Sequence, residues 1–442
     1  MQDRNQEIHR GSRGEVPGSH PWRIALNDEV HARPYQTLQA PQRASYLAML
    51  AEPAEREGEH AHVAELCLRY GCEPPPPEAR YFVADCGAFR LRWERHGEFS
   101  SYTVFEAGAG GEPFAQPAAN ALPPQWLAAL PGRVIVAAHV ALLPGAEGQP
   151  DIESISAHFS GNTLAGAQVA DGGAAAFTDF RIHQDGFSRF LLLDRGMGRR
   201  RAGRVLQRLL EIETYRMFAL LAFPLAREVG AKLAAAERDL AGITEQMVTQ
   251  GPADEPGLLD RLTKLAAAVE SAAAASSYRF GAARAYYGLV GQRIAELREQ
   301  RIPGIQTIDE FMQRRLAPAM STCESVARRQ SELSERVARA SDLLRTRVDI
   351  VREMQNQELL ASMNRRARLQ LRLQETVEGL SVAAITYYLV GLVGYAAKAF
   401  KAAGYAVEPD IIMGVALPLV ALLAAVGMRY VRRSVAKEGR RG

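Results

Sequence analysis

Four short stretches carry side chains whose types and spacing could do chemistry. The segment HPWRIALNDEVHARPY sets His20, Asp28, Glu29, His31 and Arg33 close together. Histidines and carboxylates so near can ligate a divalent metal or exchange protons. No standard ligand spacing joins them, and caps and ion pairs on a docked arm explain the same residues. The segment EIETYR sets Glu211, Glu213, Tyr215 and Arg216 on one helix. There Glu211 shares a face with Tyr215, and Glu213 shares one with Arg216. Paired carboxylates can act as acid and base, whereas a salt-bridged helix surface is the plainer reading. RGMGRRRAGR, residues 195–204, sets Gly196 and Gly198 among arginines. Such a run can hold phosphate or anionic lipid head groups. It lacks the Gly-x4-Gly-Lys of a P-loop, and a solvated helix start explains it equally. Finally, His60, His62, Cys67 and Cys72 imitate a zinc quartet. Structural zinc sites usually pair their cysteines twice; here no second pair follows, and residues five apart on a helix share no face. No Gly-x-Ser-x-Gly elbow or strand-anchored dinucleotide fingerprint is present. The residues therefore point away from an enzyme, and they call for no cofactor.

These stretches sit in a chain of 442 residues, 47% apolar and 23% charged, the balance of a folded protein long enough for two or three domains. The net charge of +3 is too small to indicate a nucleic-acid partner. Cys67, Cys72, Cys86 and Cys323 form no disulfide framework in a chain this long, which points to a reducing compartment. Residues 1–19 are polar and read as a disordered tail without a secretory signal.

An α+β fold is expected. Residues 20–195 read as a mixed α/β cytoplasmic domain, with about five or six strands and flanking helices. Within it Leu38–Gly71 reads as helical, opened by PQRASYLAML, and PPPP at 74–77 reads as a stiff linker. FRLRWERH alternates Phe89, Leu91 and Trp93 on one face, and with Gly97 and FSSYTVFEA it predicts a hairpin. GRVIVAAHVALLP and AAAFTDFRIHQDGFSRFLLLD supply further strands, the latter turning at Asp185-Gly186. Residues 196–378 read as a helical domain, with helices over 199–248, 257–301 and 305–397 broken at QGPADEPG and RIPG. Between Ala319 and Glu378 there is neither Pro nor Gly, which predicts a long stalk helix. Leu333, Val337, Ala340, Leu344, Val348 and Val351 give it a heptad-like, coiled-coil seam.

Charge then stops. Gly379–Ala397 and Ile411–Met428 carry none, and each is long enough as a helix to span about 30 Å of hydrocarbon. A transmembrane hairpin over 379–428 follows, with a basic tail at 429–442. Arg365, Arg366, Arg368 and Arg372 precede the first span, and Arg432 and Arg433 follow the second. This bias predicts a multi-pass membrane protein with both termini in the cytoplasm. The same arginines would anchor on anionic head groups. Thr386, Tyr387, Tyr388, Gly391 and Gly394 suit helix packing, within the hairpin or between copies.

Three segments together, HPWRIALNDEVHARPY, LLEIETYRMFALLAFPLARE and NRRARLQLRLQETVEGLSVAAITYYLVGL, resemble a bacterial family of membrane-anchored proteins, domain of unknown function 3422. The likeness runs from about His20 to about Ala425, and it implies no catalytic residue. The layout of α/β domain, long stalk, two C-terminal spans and basic tail is also similar to CorA-type magnesium channels. Those channels carry Gly-Met-Asn at the end of the first span, where this chain reads VGYAAKAF.

Two readings result. In the first, a non-enzymatic, oligomeric membrane protein binds a ligand or partner through its cytoplasmic region. In the second, a CorA-like homo-oligomer conducts a divalent cation, with Thr386 and Tyr387 lining the pore. A third, a membrane-tethered hydrolase or metal enzyme, would rest on the His20–Arg33 segment.

Overall fold

The computed structural model of the chain describes residues 20–31, 34–108, 112–146, 148, 150–249, 254–404 and 408–438, with backbone alone at 25, 29–31 and 431–438. In chain order the elements are α1 Arg23–His31, β1 Gln42–Leu50, α2 Pro53–Arg56, α3 Glu59–Tyr70, β2 Tyr81–Asp85, β3 Arg90–Arg95 and β4 Phe99–Ala107. Then come α4 Pro124–Ala128, β5 Arg133–Pro144, α5 Ile152–Ala157, β6 Ala165–Val169, β7 Ala174–Thr178 and β8 Ser188–Asp194. The remainder is α6 Arg199–Leu220, α7 Ala222–Thr249, α8 Glu255–Leu297, β9 Gln300–Arg301, α9 Ile308–Arg315, α10 Ala317–Ala402 and α11 Pro409–Glu438. They form two compact units: residues up to Gln246 with Asp260–Ala340, and Met247–Leu259 with Ser341 onward.

The first unit is built on a nine-stranded sheet in the order β2-β3-β4-β1-β5-β8-β7-β6-β9. Every pairing is antiparallel except β5 with β8. The predicted hairpin is β3–β4, in register Arg92↔Thr103 and Trp93↔Tyr102. The sheet holds more strands than the five or six expected, because short strands such as β6 and the two-residue β9 carry little apolar pattern of their own.

One expectation is overturned. PQRASYLAML does not open a helix; it is strand β1, at the middle of the sheet between β4 and β5. Every residue from Gln42 to Met49 is buried. A strand covered on both faces loses its alternation, and an Ala/Leu/Met-rich run then looks helical. Only α2 and α3 are helical in that stretch, and α3 stops where Gly71 takes the left-handed conformation, φ 72°.

Two apolar cores cover one face of the sheet. Leu47, Leu91, Trp93 and Tyr102 pack with Val63, Leu66 and Trp126 from α3 and α4. Phe177 and Leu191 pack with Ile155, Phe159 and Ile302 farther along. The helix expected over 199–248 breaks at Leu221, because Pro224 has no N–H to give back to Leu220. Pro318 likewise separates α9 from α10 at Leu316.

Gly203 fixes how the segment before β1 crosses α6. A Cβ there would sit 1.6 Å from the carbonyl oxygen of Gln36, and Leu38 N–H donates to Arg199 O at 3.0 Å beside it. Gly203→Ala should therefore cost about 1–3 kcal/mol through forced separation, despite alanine's better helix propensity. Urea unfolding of the two proteins measures it, and a stabilised variant would show that the crossing has slack.

In the second unit Leu344 and Val348 of the predicted seam are buried, and Arg347 Nη1 donates to Met247 O at 2.7 Å. Among the described residues, two helices are long and apolar enough to cross a membrane. An 18-residue apolar window within Ile308–Ala402 is 17% buried, and one within Pro409–Tyr430 has no buried residue. Gly394 packs against Met413 across this helix pair.

Candidate functional site

The face of the sheet opposite Trp93 is not solvent. It carries Arg92 and Glu94 on β3, Ser101 on β4 and Tyr46 on β1, and α6 and α8 cover it with Gln207, Glu211, Thr214, Tyr215 and Arg293. Between them lies a cavity of about 240 Å³. Arg92 is 3% exposed and Glu94 5%, an unusual depth for charge on a strand.

The charges form a chain of contacts. Arg92 Nη1 donates to Gln207 Oε1 at 3.3 Å, and Gln207 Nε2 donates to Glu211 Oε1 at 2.8 Å. Glu211 Oε2 then receives Arg293 Nε, and Arg293 Nη1 reaches Glu296 at 3.0 Å. Arg92 Nε lies 3.2 Å from Glu94 Oε2 without hydrogen-bond geometry, so its buried N–H remains unused. Ser101 Oγ donates to Glu94 at 3.4 Å. Thr214 Oγ1 hydrogen-bonds Tyr46 Oη at 2.9 Å, and burial raises the Tyr46 phenol well above its ordinary range, so it stays neutral. Two guanidinium groups, two carboxylates and two tyrosines, Tyr46 and Tyr215, thus line one cavity. It can hold a small molecule that carries both signs of charge.

Of the predicted residues, Glu211 and Tyr215 line this cavity. Glu213 and Arg216 do not. They pair with each other through two hydrogen bonds of 2.9 and 2.6 Å, and Arg216 lies over the Phe180 ring. His20 and Asp28 are exposed at α1, where His20 Nδ1 accepts from Trp22 N–H. The side chains of Glu29 and His31, and Arg33 entirely, lie outside the described residues, as do residues 1–19 and the side chains of Arg432 and Arg433.

The zinc-like quartet does not converge: Cys72 lies against Cys67 and 3.6 Å from Cys86 Sγ, but both histidines have other partners. His60 bonds the carbonyls of Pro75 and Pro76, and His62 stacks on Trp126 at 4.4 Å. Burial pushes the Cys67 thiol up to about 12. Among the described residues, no group of three or more His, Cys, Asp or Glu could hold a metal ion.

Arg365, Arg366, Arg368 and Arg372 are exposed along α10. Tyr387 and Tyr388 are exposed, Gly391 has no neighbour within 4 Å for an added Cβ, and Thr386 donates to Val382 O.

Sequence reasoning missed Arg92, Glu94, Arg293, Tyr46 and Thr214. The available signal was the polar half of FRLRWERH, two charges at alternate positions beside Trp93, but nothing local says what covers them.

A second buried polar group lies on the other face. Ser45 and His139 sit opposite each other on β1 and β5, with Ser45 Oγ 2.9 Å from His139 Nδ1. His139 Nε2 is 4.0 Å from Asp185, and Ser45 Oγ accepts Ala119 N–H at 2.9 Å. The order resembles a hydrolytic triad. Yet Ser45 is 0% exposed and His139 3%, so no acyl substrate reaches the hydroxyl without opening the core.

The family comparison covers nearly all of this architecture. Residues 18–435 match a family described as a protein of unknown function, DUF3422, and the chain belongs to it. No curated protein matches the chain.

Proposed function

We propose that this family member is a membrane-anchored binding protein that performs no covalent chemistry. Its sheet unit takes a small zwitterionic molecule into the cavity of Arg92, Glu94, Glu211 and Arg293, and its two apolar helices sit in a bacterial inner membrane. The observation that carries the reading is the charge-balanced cavity in a chain that also has two exposed apolar helices. At about 30 Å³ per water in the liquid, 240 Å³ suits a molecule of amino-acid size. A carboxylate would meet the guanidinium groups of Arg92 and Arg293, and an ammonium would meet Glu94 or Glu211. On this reading the arginines from Arg365 to Arg372 face the cytoplasmic leaflet and both termini are cytoplasmic. Tyr387, Tyr388 and Gly391 form the face against which a second copy packs.

The test has two parts. Alkaline carbonate washing of membranes should leave the protein in the pellet; release into the supernatant sinks the anchor. A thermal-shift screen of the detergent-purified protein against free amino acids should find one that raises the melting temperature. At about one hundred times Kd the gain is about 2.7 kcal/mol, and Glu211→Gln should abolish it. The detergent-corrected mass decides the alternative. Four or more copies around an axis, with cation flux in liposomes, would favour the CorA-like channel over a binding module.

A further inference from the structure

We propose that a second, open cleft between the start of α6 and the end of α8 binds phosphate groups. The cleft has a volume of about 830 Å³ and is lined by Arg201, Arg204, Arg208, Gln292, Glu296 and Arg298, among others. Four guanidinium groups converge there. Among the described residues two carboxylates answer them. Asp171 receives both Arg201 and Arg298, the latter at 3.0 Å, and Glu296 receives Arg208 at 2.8 Å. The described contacts of Arg204 are with Tyr35 alone, 5.2 Å from the ring and 3.5 Å from its hydroxyl. Each guanidinium has five N–H donors in a planar fork, so most of this donor capacity faces open space. The excess of two positive charges matches a phosphate dianion or a pyrophosphate.

The arrangement is not one that folding alone favours. Helix α6 opens with Arg199, Arg200 and Arg201 and has no acid in its first turn, where the helix dipole disfavours cations. Arg298 takes φ 53°, the left-handed conformation that commonly ends a helix, directly after α8. That turn sets Arg298 against Asp171 and across the cleft from α6. Concentrating cations at the like-signed start of α6 is understandable if an anion occupies the space. Arginine rather than lysine throughout suits the bidentate geometry of phosphate oxygens.

The phosphate could belong to a soluble molecule or to a lipid head group, and one calorimetric experiment separates these. Full-length protein in a neutral detergent is titrated with inorganic pyrophosphate, with glycerophosphoglycerol as the deacylated head group, and with sulfate at matched ionic strength. Saturable binding of pyrophosphate above sulfate assigns a soluble phosphate ligand. Stronger binding of glycerophosphoglycerol assigns a head group. In either case Arg204→Ala and Arg298→Ala should each weaken binding about tenfold. Arg204→Lys, which keeps charge but loses the fork, should fall between. Arg204 is exposed, so its variants should fold, and circular dichroism checks this. Binding of either phosphate no stronger than sulfate, or folded Arg204 variants that bind like the wild type, would overturn the proposal.

Discussion

Arg92→Met is expected to lower the stability of the sheet unit by about 3–5 kcal/mol, because it leaves the Glu94 carboxylate buried without its cation. Glu94 is 5% exposed and keeps only the 3.4 Å hydrogen bond from Ser101. The loss has two further parts. Gln207 loses the donor to its Oε1, and the Arg92 stem no longer packs at the sheet face. The double variant Arg92→Met, Glu94→Leu should recover most of the loss, since apolar replacements of a buried ion pair are often neutral. Chemical unfolding followed by tryptophan fluorescence reads this directly, because Trp93 and Trp126 lie in the core on the opposite face of the same sheet. A single-variant cost below about 1 kcal/mol would mean the pair is solvated as surface pairs are.

The second large effect is on acid stability. His139 is held down to about 4, first by burial, with Arg189 acting in the same direction and Asp185 opposing both. Its ring stacks on Phe187 at 3.9 Å. The Asp185 side favours the Nε2–H tautomer, which leaves Nδ1 to accept from Ser45. A histidine whose folded pKa is depressed contributes its full stability above the unfolded value of 6.5, and loses it as pH falls toward 4. The unfolded chain takes up the proton first, so the loss reaches about 3 kcal/mol. His139→Asn keeps an acceptor toward Ser45 and cannot titrate in this window. Between pH 7 and pH 4 the wild type should lose about 3 kcal/mol more than the variant. Parallel pH profiles would show that water reaches the ring.

Much of the sheet could be read locally. The β3–β4 hairpin, β5 and the β7–β8 pair each declare themselves through alternation and a glycine turn. β1 does not, and the reason is its success as a central strand. With neighbours on both edges and layers on both faces, it has no polar side to alternate with. The cavity was illegible for the complementary reason. Phe89, Leu91 and Trp93 announce a buried face, and their polar neighbours Arg92 and Glu94 look like the wet side. Their burial depends on α6 and α8, whose residues Glu211 and Arg293 lie more than a hundred positions along the chain. Only Glu211 and Tyr215 could be named in advance, from their shared helix face.

The two-residue strand β9 has a consequence for how the protein is made. Gln300 and Arg301 pair with Gln168 and Ala167 and form the last strand of the order. Until α6, α7 and α8 have been translated, the growing chain exposes the free edge of β6, a template for pairing with other nascent chains. A chaperone that shields this edge would be most needed over that interval. Synthesis then continues through the rest of the sheet unit before the uncharged segment at Gly379 exists. On the membrane-anchored reading, the insertion machinery therefore receives a chain whose sheet can already have closed, and release of a folded cargo, not threading of an extended one, sets the pace of delivery.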